Sequence, residues 1–207
     1  MATSKNFSLL CLGDSYTIGE GVPLYETFPY LLVQKLRKNK FHFQAPEIIA
    51  KTGFTTFELA EQILHTSFEE HYDFATLLIG VNNQYRSLSI EDYKNDFEFL
   101  LKKAIHFTGG NSKHVIVLSI PDWGLTPFAK EHNAEKIASE IDAYNEANKA
   151  IAIAHNCHYI NITEETRKAK EDISLLTADN LHYSRKAHEV WASFVEDVIC
   201  KQLASKN

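Results

Sequence analysis

Five short apolar runs recur along the chain, and each is followed by residues with helical spacing. They are FSLLCL at 7–12, PEIIA at 46–50, FATLLIG at 74–80, HVIVLSI at 114–120 and CHYINI at 157–162. Runs of this kind, unbroken by polar alternation, read as strands covered on both faces. After the first, Leu31, Leu32 and Leu36 keep helical spacing, with Pro29 in the first turn, where a missing N–H costs nothing. After the second, Thr55 and Glu58 form a T-x-x-E capping box ahead of Leu59, Ile63 and Leu64. Ser89 and Asp92 open a third helix, whose Tyr93, Phe97, Leu100, Leu101 and Ile105 make one apolar stripe. Ile137, Ile141, Tyr144 and Ile151 mark a long fourth helix. Ser184 is the expected cap of a last one, carrying Val190, Trp191, Phe194, Val195 and Val198 inward. Five βα units in succession predict an α/β domain, a parallel sheet between two helix layers. With 207 residues and no linker, repeat or low-complexity segment, the expectation is one domain over 1–207.

Composition then removes whole classes of function. The net charge of −6 argues against nucleic acid or an anionic membrane as partner, since both need clustered Lys and Arg. The one basic run, Lys35, Arg37, Lys38 and Lys40, falls at a predicted helix end and reads as a solvated face. No apolar run approaches the ~20 residues of a membrane helix. The N-terminal MATSKNFSLLCLGDS lacks the pattern of a secretory signal. Cys11, Cys157 and Cys200 are odd in number and widely spaced, with no C-x-x-C, which points to a reducing, cytoplasmic location and no metal site. His155 and His158 bracket Cys157, but successive strand residues alternate faces, so they do not assemble a metal ligand set.

Sites in such sheets form beyond the carboxyl ends of the strands. After the first run comes G-D-S-Y-T, with Ser15. A serine becomes a nucleophile only with a base in hydrogen-bond reach. After the fifth run, a loop over 163–181 leads to D-N-L-H, with Asp179 and His182. Their separation lets the carboxylate hold one ring nitrogen and leaves the other for the serine. After the third run, G-V-N-N supplies Asn82, an amide able to donate to a developing oxyanion. After the second, K-T-G-F-T-T supplies the Gly53 N–H ahead of a helix. Each piece alone is ordinary turn chemistry. Their joint order, each after a strand at one sheet edge, is not.

That order resembles the SGNH hydrolases, also called GDSL esterases and lipases, over nearly the whole chain from Leu9 to about Trp191. The family's four blocks centre on Ser, Gly, Asn and His, matching Ser15, Gly53, Asn82 and His182. The resemblance implies a flavodoxin-like three-layer α/β/α sandwich with a five-stranded parallel sheet. It implies a Ser15–His182–Asp179 triad, an oxyanion hole from the Ser15 and Gly53 N–H groups and the Asn82 side chain, and no cofactor. The sequence departs from the pattern at Tyr16, where Leu is usual, at Asn83 in place of Asp, and at Tyr183, where Pro is frequent. None of these removes a reacting group.

The activity expected is hydrolysis of small or short-acyl carboxylic esters, O-acetylated sugars among them. The connections over the site are brief and polar (VNNQYRSLSI) or stiffened by proline (PDWGLTPF), which predicts a short acyl group rather than a deep tunnel. Asp14, Asn83 and Trp123 are the further candidates for touching substrate. Two alternatives stand beside this reading: a lysophospholipase or acyl-thioesterase on the same fold, and a flavin- or nucleotide-binding module. In the latter, Asp14 and Glu20 would repel the phosphate.

Overall fold

The structure, a computed structural model, describes residues 5–204. The extreme ends of the expected domain, and the first four residues of the N-terminal segment read above, lie outside the described residues. The strands β1 (Leu9–Gly13), β2 (Glu47–Ala50), β3 (Phe74–Leu78), β4 (Val115–Leu118) and β5 (His158–Ile160) form one sheet in the order β2-β1-β3-β4-β5. Every neighbouring pair is parallel, with Leu9 beside Phe74, Gly13 beside Leu78, and Gly13 beside Ala50 on the other side. Each strand is shorter than its apolar run. Ile79, Ile120 and Ile162 stay fully buried but have left the ladder, because the run continues as the floor of the loops at the carboxyl edge.

Eight α-helices alternate with the strands among the described residues. Long ones cover the sheet: α2 (Phe28–Lys38), α3 (Thr56–Leu64), α5 (Ile90–Phe107), α6 (Ala134–Ala154) and α8 (Arg185–Ala204). Short ones, α1 (Ser15–Ile18), α4 (Val81–Tyr85) and α7 (Thr163–Arg167), sit in the loops at the carboxyl edge. The chain steps from β1 outward to β2 and then across β1 to β3, so right-handed crossovers put α2 on one face and α3, α5 and α6 on the other. α8 returns to lie beside α2, where Phe28 meets Trp191, both fully buried.

The local start signals hold. Thr55 Oγ1 accepts the Glu58 N–H, and the Glu58 carboxylate accepts the Thr55 N–H at 2.8 Å. Ser89 accepts from Asp92. Ser184 does precede α8 and its carbonyl accepts the first helical bonds, but its hydroxyl donates to the Ser174 carbonyl at 2.7 Å. The segment over 163–181, expected as a loop, is built of α7 and two single-turn 3-10 helices, tied down by a bridge between Leu176 and Tyr183.

Candidate active site

The sheet order places the change of winding direction between β1 and β3, the position at which open α/β sheets form their ligand crevice. Ser15 leaves β1 there and Asn82 leaves β3. Ser15 opens α1, so its N–H is a helix-start donor that no carbonyl of the helix can take. Gly13 ends β1 just ahead of this turn. Its role is close approach: a Cβ there would lie 2.1 Å from Thr17 Oγ1 and 2.4 Å from the Leu78 carbonyl.

Ser15, His182 and Asp179 meet. Ser15 Oγ is 3.0 Å from His182 Nε2, and His182 Nδ1 is 2.7 Å from Asp179 Oδ2. An ionised carboxylate only accepts, so Nδ1 carries the hydrogen, and in the neutral ring Nε2 faces the serine as an acceptor. Asp179 is itself held. Its Oδ1 accepts the Thr177 hydroxyl at 2.7 Å and the N–H groups of Leu181 and His182 at 2.9 and 3.0 Å. Partial burial works to raise its carboxyl, but the bonds from His182, Thr177 and the two N–H groups outweigh it and hold the group well below the usual carboxylate range.

Ser15, Asn82 and His182 line one cavity of about 150 Å³, walled by Val81, Tyr85, Trp123, Phe128 and Leu181. A wider groove of about 640 Å³ runs along α6 and β5 and contains none of the three. Asn82 Nδ2 donates one hydrogen to the Phe54 carbonyl at 2.9 Å, which leaves the amide a second. Gly53, with φ +81°, is one residue before that carbonyl, and Arg86 donates to its oxygen at 2.6 Å. Gly53 itself does not line the cavity.

The three further candidates divide. Trp123 does line the cavity, and its indole N–H donates to Gln84 Oε1 at 2.8 Å. Gln84 Nε2 in turn donates to Glu140 at 2.7 Å. Asp14 and Asn83 require correction, since both are buried and neither lines the cavity. Asp14 is fully buried, and its Oδ1 caps α1 by accepting the Tyr16 N–H at 3.0 Å. Burial with so few donors pushes its carboxyl up to about 7. Asn83 is spent on the start of α3: it accepts the Thr56 N–H at 3.0 Å and donates to the Thr56 hydroxyl at 2.8 Å. The Asn in place of Asp thus supplies the donor that Thr56 Oγ1 needs, and ties the Asn82 turn to the segment carrying Gly53 and Phe54.

Several residues of the site are not singled out by any local sequence pattern. Tyr85, Phe128 and Leu181 come from three different loops. Thr177 sits in an unpatterned segment, and the Gln84–Glu140 pair joins α4 to α6. Glu20, counted in the sequence only as a negative charge, places Oε2 3.7 Å from His182 Nε2.

The model of the GDSL-like lipase/acylhydrolase family matches residues 11–190. The chain belongs to that family and is a carboxylic ester hydrolase. No curated protein sequence matches it. Among solved structures, it is similar to an acetylxylan esterase from Geobacillus stearothermophilus (TM-score 0.73, 16% identity, 93% of this chain and 94% of that one). It is also similar to a lipase/acylhydrolase from Enterococcus faecalis (0.72, 19%, 95% and 96%) and to the psychrotrophic esterase of a Pseudoalteromonas species (0.68, 18%, 95% and 98%). Identities this low carry the fold alone: a five-stranded parallel sheet with helices on both faces. No helix among the described residues is long and apolar enough to cross a membrane.

Proposed function

We propose that this chain, as one domain over 1–207, hydrolyses short-acyl esters of small alcohols through Ser15, His182 and Asp179. The observation that carries the reading is the chain of bonds from Ser15 Oγ through His182 to Asp179, at 3.0 and 2.7 Å, opening on the cavity. Ser15 Oγ attacks the ester carbonyl as its proton passes to His182 Nε2. The Asp179 carboxylate stabilises the imidazolium that forms. The negative charge on the former carbonyl oxygen is met by the Ser15 N–H and the free hydrogen of Asn82, both in the cavity, with the Gly53 N–H, one residue from the carbonyl that holds Asn82, as the expected third donor. The tetrahedral adduct collapses as His182 returns its proton to the leaving alcohol oxygen. Water, deprotonated by the same nitrogen, then releases the acid and restores Ser15.

The size of the cavity supports an acyl group from acetyl to butyryl. Trp123 and Phe128 meet edge to face at 6.1 Å, and Tyr85 stands edge-on to Trp123 at 5.2 Å, so the walls converge. Each further methylene would gain ~0.8 kcal/mol only if it found apolar wall to bury against. The substrate in this reading is a small molecule, O-acetylated sugars among the candidates. The free thiols of Cys11, Cys157 and Cys200 suit the reducing, cytoplasmic location expected.

Two measurements test the reading. A fluorophosphonate should label the wild type once, at Ser15, and label Ser15→Ala not at all. The p-nitrophenyl esters from C2 to C12 should give the highest kcat/KM at C2 to C4. Labelling at another serine refutes the nucleophile; a maximum at C8 or beyond refutes the short acyl group and favours lysophospholipids or acyl thioesters.

A further inference from the structure

We propose that Glu20 is a specificity determinant that selects esters whose alcohol part carries a neutral hydroxyl beside the ester oxygen; this rests on the functional reading above. Glu20 follows α1, and its N–H, like that of Gly19, donates to the Ser15 carbonyl at 3.0 Å. Its carboxylate therefore belongs to the same turn as the nucleophile. One contact holds the carboxylate, and the backbone beside it is seated against a neighbouring segment. The Thr52 hydroxyl donates to Glu20 Oε2. The next residue, Gly21, approaches the segment that carries Asp179, since a Cβ on it would lie 2.8 Å from Thr177 Oγ1. Thr177 is the residue that donates to Asp179. The loop of Glu20 is thus seated against the same strut that orients His182.

The position of the carboxylate states what it would meet. For His182 Nε2 to protonate the leaving group, the alcohol oxygen must sit within hydrogen-bond distance of that nitrogen. Glu20 Oε2 is 3.7 Å from it, too far for a good bond to the ring and close enough to flank the leaving oxygen. A hydroxyl on the neighbouring carbon of the alcohol then has a carboxylate acceptor beside it. Glu20 is not saturated by Thr52, because a carboxylate offers about four acceptor positions. Its side chain is 37% exposed, so substrate can reach it. The charges around it do not cancel it for an incoming anion. Asp179 lies on the other side of His182. Arg86, near Gly53, is engaged with Glu58 at 3.1 Å and with the Gly53 carbonyl, and Lys51 lies over the Phe54 ring at 6.0 Å. A phosphate or carboxylate close to the ester oxygen would meet Glu20 as a like charge, whereas a polyol would donate to it.

The test compares kcat/KM for glycerol monoacetate and n-propyl acetate, which share an acyl group and a three-carbon alcohol and differ in the hydroxyls. Wild type should prefer the glycerol ester. That preference should fall tenfold or more in Glu20→Ala, less in Glu20→Gln, which keeps a neutral acceptor, and by an intermediate factor in Thr52→Val, which leaves the carboxylate unheld. An unchanged preference in Glu20→Ala overturns the proposal. So does an equal loss on both substrates, which would mean that Glu20 acts on His182 rather than on the alcohol. Failure of wild type to hydrolyse either ester, or equal turnover by Ser15→Ala, refutes the functional reading and the proposal with it.

Discussion

Asp14 stands next to Ser15, yet the structure gives it a consequence for stability that can be measured without any substrate. Its side chain is fully buried and Oδ1 has the Tyr16 N–H, while Oδ2 has no partner among the described residues. Burial, set against those few bonds, raises its carboxyl from 3.8 to about 7. The folded state therefore holds the proton more tightly than the unfolded chain. Stability from this group is fully present below pH 3.8 and is lost as pH rises through about 7. A separation of about three in pKa, at about 1.4 kcal/mol each, makes the loss about 4 kcal/mol.

Asp14→Asn mimics the protonated form and removes the loss. In urea unfolding followed by circular dichroism, the stability difference between Asp14→Asn and wild type should grow by about 1.4 kcal/mol per pH unit from pH 4.5 to 6.5 and level off above pH 7. His188 sharpens the expectation. Burial in the α2–α8 seam, reinforced by the repulsion between two imidazolium rings that protonation beside His182 would create, lowers it from 6.5 to about 3, against a bond to the Tyr183 backbone. Its contribution is present above pH 6.5 and is lost as pH falls toward 3. Between pH 4 and 6.5 the two slopes oppose. These groups should leave wild-type stability nearly flat there, while Asp14→Asn shows the His188 slope alone. A difference between the two proteins that does not vary with pH would refute the reasoning, because Asp14 would then be ionised in the folded state throughout.

Three further outcomes are expected. Asn82→Ala should lower kcat by on the order of 10²–10³ with little change in KM, because the amide acts on charge present only in the transition state; steady-state kinetics on p-nitrophenyl acetate reads this, and a pure KM effect would make Asn82 a binding group. Asp179→Asn should lower kcat by about 10⁴, since an amide in place of the acceptor stabilises the wrong ring tautomer, and pre-steady-state acylation rates locate the loss in the proton-transfer step. Gln84→Leu should cost about 1–3 kcal/mol by leaving the Trp123 N–H without its acceptor, and should flatten the acyl-length profile as the indole wall loosens, read by thermal unfolding and the ester series together.

The features legible in the sequence are local in origin. Strands covered on both faces advertise themselves as unbroken apolar runs, and Thr55 with Glu58 announces α3 within four residues. The end of each run marks the sheet edge at which Ser15, Asn82 and His182 appear. Strand ends were overrun by a residue or two, because Ile79, Ile120 and Ile162 are as buried as the strands they follow. The assembly of the site rests instead on the strand order β2-β1-β3-β4-β5, which brings the ends of β1 and β3 together and seats the last loop against them. Periodicity cannot encode that order, since any parallel arrangement would bury the same runs equally well. The same limit hid Glu20 beside His182 and Trp123 on Gln84, pairs separated by far more chain than any helix or turn repeats. It also reversed Asp14, which reads in sequence as a polar residue beside a nucleophile and is in fact a carboxyl folded inward to cap the turn that presents it.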